Sequence, residues 1–142
     1  MNPTEDRLAA LLSRARTIAV VGLSDLPHRT SHRIASYLQA AGYRIVPVNP
    51  RVREVLGERA YPRLAEVEEA VDIVDVFRRR EAIPSLAEEF LEMPERPAAF
   101  WMQKGLSEGE SARRLEASRV EVVQNMCIKT AHRRLMTDRG LE

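Results

Sequence analysis

Apolar positions along the chain switch repeatedly between two rhythms. Leu8, Leu11, Leu12 and Ala15 recur at helical spacing, which predicts a helix over residues 4–15. Residues 17–23 (TIAVVGL) form a short apolar run, as expected of a strand buried on both faces. The helical rhythm returns with Ile34, Tyr37, Leu38 and Ala41; Thr30 or Ser31 is placed to cap that helix and Gly42 to stop it. Residues 43–48 (YRIVPV) read as a second strand; Pro47 inside the run either weakens that reading or belongs at the strand's end. Residues 51–70 are less regular and predict a loop with one short helix. A third strand follows over 71–77 (VDIVDVF), then a helix over 81–93 with Pro84 in its first turn. Residues 98–102 (AAFWM) predict a fourth strand, 107–118 a helix, 120–123 a fifth strand and 127–136 a last helix.

Strand and helix alternate strictly, so the fold class expected is α/β, an open parallel sheet with helices on both faces. The length of 142 residues suits one domain spanning 1–142, and contents of 44% apolar and 30% charged residues are ordinary for a globular chain. The net charge of +1 argues against nucleic acid or an anionic membrane as the main partner. No apolar run approaches the roughly 18 residues of a membrane span. The opening MNPTEDRLAALLSRAR lacks the basic start and long apolar block of a signal peptide, so a cytoplasmic protein is expected. A single cysteine, Cys127, excludes an internal disulfide and a cysteine-rich zinc site, and no metal site is expected. All the basic residues but Lys104 and Lys129 are Arg, which fits either ion-pair networks of a thermophile or genomic base composition.

In open parallel sheets, ligands bind beyond the carboxyl ends of the strands. The loop after the first strand, GLSDLPHRTS, is therefore the first to inspect. Gly22 lets the backbone turn or approach a ligand closely. Ser24, Thr30 and Ser31 supply hydroxyls, Arg29 a positive charge, and the helix start free N–H groups; together they favour phosphate. An ordinary connector with a capped helix is the competing reading. The glycine fingerprint of dinucleotide-binding turns is absent. The second strand ends in Asn49-Pro50-Arg51 rather than in the carboxylate that holds the ribose of NAD. Arg51 and Arg53 suit an additional ribose phosphate, as carried by NADP or coenzyme A; a solvated charge cluster is the alternative.

Four segments in order resemble the small CoA-binding proteins, stand-alone relatives of the N-terminal domain of the succinyl-CoA synthetase α subunit. They are residues 20–50, VDIVDVFR at 71–78, FWMQKGL at 100–106 and VVQNMCIK at 122–129. The resemblance covers nearly the whole chain and implies a Rossmann-like fold with five parallel strands. It also implies that CoA phosphates meet Gly22, Leu23 and Ser24. The adenosine end would lie over Asn49, Pro50, Arg51, Val76 and Phe77, and the pantetheine arm would run toward Met102, Gln103 and Gly105. The synthetase also uses a phosphorylated histidine from a second domain, whereas this chain offers His28, His32 and His132.

Asp72 and Asp75 do not form a carboxylate pair, because spacing three in a strand points them to opposite faces. Pairing with nearby Arg is the expectation for both. Trp101 reads as core. Of Arg78, Arg79 and Arg80, the first is nearest the strand end and is the plausible phosphate contact. Cys127 begins a helix, which favours a reactive thiolate, but a buried small hydrophobe reads as well. The function expected is binding of coenzyme A or an acyl-CoA without self-contained catalysis. The alternatives are an NADP-dependent enzyme and a CoA-sensing regulatory subunit of a larger acyl-CoA enzyme, with any protein partner unknown.

Overall fold

A computed structural model describes residues 2–138; the predicted 1–142 domain extends past this range at both ends. The elements are α1 (Glu5–Arg14), β1 (Thr17–Val21), α2 (Thr30–Ala40), β2 (Arg44–Val48), β3 (Glu54–Val55) and β4 (Glu58–Arg59). There follow β5 (Ile73–Val76), α3 (Ile83–Leu91), β6 (Ala99–Met102), α4 (Gly109–Ala117), β7 (Glu121–Val123) and α5 (Ile128–Asp138). Five parallel strands form one sheet in the order β2-β1-β5-β6-β7. The fold is thus the expected Rossmann-like α/β sheet.

The alternation of side chains along each strand divides the core in two. Ile18, Val20, Ile73 and Trp101 face one side, where Leu8, Leu12, Ile34, Leu38, Ile128 and Leu135 bring α1, α2 and α5 against them. Ala19, Val21, Val74, Val76, Phe100 and Met102 face the other, under Ile83 and Phe90 of α3 and Leu115 of α4. Thr4 caps α1, its side chain accepting from the Arg7 N–H, and Glu5 and Asp6 complement the helix dipole.

Three expectations need correction. Pro47 lies inside β2, next to its last residue, and is tolerated because β2 is an edge strand of the five. Its carbonyl accepts from Tyr61 N–H on the outer side, so the missing amide also faces outward. The segment 51–70 holds an antiparallel β3–β4 hairpin as well as a 3₁₀ turn at Leu64–Glu66. The hairpin turns through Leu56 and Gly57, both at positive φ. Asp72 is held by backbone rather than by Arg side chains: its Oδ2 accepts from the N–H of Arg16 at 2.8 Å and of Thr17 at 3.0 Å. Asp75 has no hydrogen-bond partner at all among the described residues.

Candidate functional site at the carboxyl edge of the sheet

The strand order reverses direction between β1 and β5, so the loops leaving these two strands diverge and leave a crevice. Gly22 and Phe77 stand at that point. Gly22 has φ of +87°, and a Cβ built on it would lie 2.2 Å from the Phe77 carbonyl oxygen. Arg78 Cδ would be 3.3 Å from the same Cβ. The glycine therefore serves close packing of the two loops, where the sequence suggested a turn or close approach to a ligand. It also carries the Arg78 side chain to the first loop.

Side chains then brace this loop from within. The Ser24 N–H donates to Ser31 Oγ at 3.0 Å, and the Leu26 N–H donates to Ser24 Oγ at 3.0 Å. Ser31 is consequently buried and does not cap α2. The capping position is Arg29, which makes no side-chain cap bond, so neither Thr30 nor Ser31 acts as expected. The first-turn N–H groups of α2 are left to solvent or to an anion, beside the exposed Arg29 side chain.

Asn49 ties the second loop to the first. Its Nδ2 donates to the Leu23 carbonyl at 2.9 Å, and its Oδ1 accepts from the Arg51 N–H at 2.9 Å. Pro50 and Arg51 are exposed beyond it. Leu23, Val76 and Met102 are fully buried, so only their backbones can meet a ligand. Phe77 is half-buried and Gly105 is exposed.

Between the ends of β5 and β6 lies a groove of about 450 Å³ lined by Phe77, Arg78, Arg79, Lys104, Gly105 and Leu106, among others. Four cations, Arg78, Arg79, Arg80 and Lys104, border it. Arg80 is committed through Nε to the Ser107 carbonyl at 2.9 Å. A larger hollow of about 680 Å³ lies near the amino ends of β5 and β6, bordered by Glu66, Glu68, Glu69 and Glu95. Those carboxylates repel a polyphosphate, so the smaller groove suits one better.

The floor of the groove continues to α5. Gln103 is buried, and its Oε1 accepts from the Ile128 N–H at 3.0 Å. The Gly105 N–H donates to Asn125 Oδ1 at 2.7 Å, and the indole of Trp101 donates to the Met126 carbonyl at 2.8 Å. Trp101 is core, as expected. Cys127 precedes α5, and its sulfur accepts from the Thr130 N–H and hydroxyl, Gln103 and the Lys129 N–H. Burial pushes this thiol up, but the donors outweigh it and bring it below the ordinary thiol value.

The sequence reading passed over Lys104, Asn125 and the role of Asp75. Asn125 sits at φ of +57°, a conformation that asparagine tolerates, but only spatial proximity to Gly105 reveals its bond. No group of three or more His, Cys, Asp or Glu suited to a metal occurs among the described residues. No helix among them is long and apolar enough to cross a membrane.

A family model described as CoA binding domain matches residues 16–133. An uncharacterized protein of Bacillus subtilis, YneT, is 47% identical over 131 residues, covering 92% of this chain and 96% of that protein. A solved structure, cell-free ID.343 from Thermus thermophilus, superimposes with a TM-score of 0.89 at 38% identity, over 94% of this chain and 99% of that one. A 115-residue stretch is 27% identical to acetate–CoA ligase [ADP-forming] I of Archaeoglobus fulgidus; it covers 80% of this chain and only 17% of that ligase.

Proposed function

The chain belongs to the CoA-binding domain family, and from that premise we propose that it binds coenzyme A or an acyl-CoA as a cytoplasmic binding module without catalysis of its own. The observation that carries this reading is the packing of Gly22 against Phe77. It brings the first loop, Arg78 and the uncapped start of α2 to one crevice, while Asn49 holds Arg51 beside it. Phosphates of the ligand pass close over Gly22 and meet the Leu23 backbone and the Ser24 hydroxyl, since the Gly22 and Ser24 amides already donate to the Val48 carbonyl and to Ser31, with Arg29 and Arg78 adding charge. Ser31 acts from below, by holding the Ser24 amide. The adenosine end lies over Asn49, Pro50, Arg51, Val76 and Phe77. The pantetheine arm follows the groove past Met102, Gln103 and Gly105 toward Cys127.

A thermal-shift panel of CoA, acetyl-CoA, dephospho-CoA, NADP and ATP tests the reading. A ligand at 100 times its dissociation constant stabilises the folded state by about 2.7 kcal/mol. CoA or acetyl-CoA is expected to give the largest shift. A shift with NADP and none with CoA would reverse the assignment.

A further inference from the structure

Asp75 is fully buried in β5, the middle strand of the five, where its register neighbours are Val20 and Trp101, and neither carboxylate oxygen has a hydrogen-bond partner among the described residues. A buried carboxyl without a partner costs stability and calls for a reason. Its side chain belongs to the face covered by α1, α2 and α5, since its register neighbours Val20 and Trp101 both do. Trp101 holds the Met126 carbonyl, and Cys127 packs against that same face. The orphaned carboxyl thus lies under the segment that presents the cysteine. The two groups also act on one another: burial raises the Asp75 carboxyl well above its ordinary value, and the Cys127 charge raises it further. A fully buried carboxyl beside a half-buried thiolate disfavours charge on both groups at once.

We propose that Asp75 and Cys127 form a proton-sharing pair that makes Cys127 a thiol-exchange site for the pantetheine end of the ligand. Gln103 supplies the route: it lines the groove and also donates to the Cys127 sulfur. The location of the pantetheine end rests on the CoA-binding reading above. The co-reactant is a disulfide of the ligand thiol. The Cys127 thiolate attacks one sulfur of that disulfide, a new S–S bond forms to Cys127, and the old S–S bond breaks. The ligand disulfide is the oxidant, and one equivalent of ligand thiolate leaves. Asp75 holds the former thiol proton and the departing thiolate takes up a proton, so charge and atoms balance. The reverse exchange is favoured by the donors on Cys127, because a stabilised thiolate leaves readily. Other groups facing the pair are the Thr130 hydroxyl and the Lys129 N–H; the Lys129 ammonium is held 5.3 Å from the centroid of the Tyr37 ring.

The test uses the full chain and intact-mass analysis after incubation with CoA disulfide, glutathione disulfide or buffer. One added CoA is expected, lost on reduction and absent in Cys127→Ser. CoA disulfide should react about tenfold faster than glutathione disulfide, because the bound ligand raises the local concentration. The pH dependence of the Cys127 reaction with 2,2′-dithiodipyridine should show two inflections in the wild type and one in Asp75→Asn. Superimposable profiles overturn the role of Asp75. Should Asp75→Asn fail to fold, the wild type alone decides, since a single inflection at the ordinary thiol value overturns the pair. A thermal shift with CoA but no adduct overturns the exchange site and leaves the binding reading standing. Rapid reaction with both disulfides, without preference and without any shift by CoA, overturns the assignment to a pantetheine ligand together with the binding reading.

Discussion

Gly22 and Phe77 meet backbone to backbone, with only 2.2 Å between the Phe77 carbonyl oxygen and the place a Gly22 Cβ would occupy. Side-chain repacking cannot relieve that contact, because the obstacle is main chain. Gly22→Ala is therefore expected to destabilise the fold by about 2–4 kcal/mol, combining positive-φ strain with a forced backbone shift. Gly105→Ala provides the contrast. Its φ is +88°, but nothing lies within 4 Å of its added Cβ, so a loss of about 1 kcal/mol is expected. Urea denaturation of both variants checks the difference; equal losses would show that the Phe77 carbonyl is not the constraint.

Arg51 stands beyond β2 with its N–H fixed to Asn49 and its side chain exposed. A charge-assisted hydrogen bond to a ribose phosphate contributes about 1.5–3 kcal/mol, and exposure and salt place this one at the low end. Arg51→Ala is expected to weaken CoA about tenfold and to leave dephospho-CoA nearly unchanged. Isothermal titration of both ligands measures this. Equal wild-type affinity for CoA and dephospho-CoA would remove Arg51 from the phosphate.

Asp75 should make stability depend on pH in an unusual direction. Its folded carboxyl titrates well above 3.8 because of burial first and the Cys127 charge second. Above the unfolded carboxylate range, the unfolded chain has already lost this proton while the folded chain keeps it. The contribution is thus fully present at low pH and is lost as pH rises through the folded pKa. Asp75→Val is expected to raise stability by about 1–3 kcal/mol at pH 8, the usual cost of a buried unpaired polar group. The gain should shrink at pH 5, as read by urea denaturation at the two values. A loss of stability at pH 8 would mean that the carboxyl is satisfied in solution.

His132 should act in the opposite sense. It is half-buried in α5, with Nδ1 2.8 Å from the Tyr37 hydroxyl oxygen and its ring edge-on to Tyr43. Burial lowers its pKa below 6.5, so the folded state keeps the imidazole neutral where the unfolded chain protonates it. Its contribution is present above 6.5 and is lost as pH falls through the folded pKa. His132→Gln should flatten the melting temperature between pH 7 and pH 5 relative to wild type. An unchanged slope would place the acid sensitivity elsewhere.

The periodic signals in the sequence were sufficient for the five sheet strands and for all five helices. Burial on both faces of a parallel sheet demands continuous apolar runs such as residues 17–23 and 71–77, while each helix needs one apolar stripe. The β3–β4 hairpin escaped because strands of two residues are too short to show a period. Ser31 was legible as a polar group at the loop but not as its brace, because the choice between capping α2 and holding the Ser24 amide depends on where the loop folds back. Gly22 was marked as a turn by composition, yet its contact is with Phe77, 55 positions away, and only the strand order brings the two together. Asp75 is the sharpest case. Alternation along the strand assigns its face, but whether an Arg reaches that face depends on the helices packed there. Those helices present apolar side chains, with Cys127 just ahead of α5, so tertiary packing turned an expected ion pair into a buried carboxyl without a partner among the described residues.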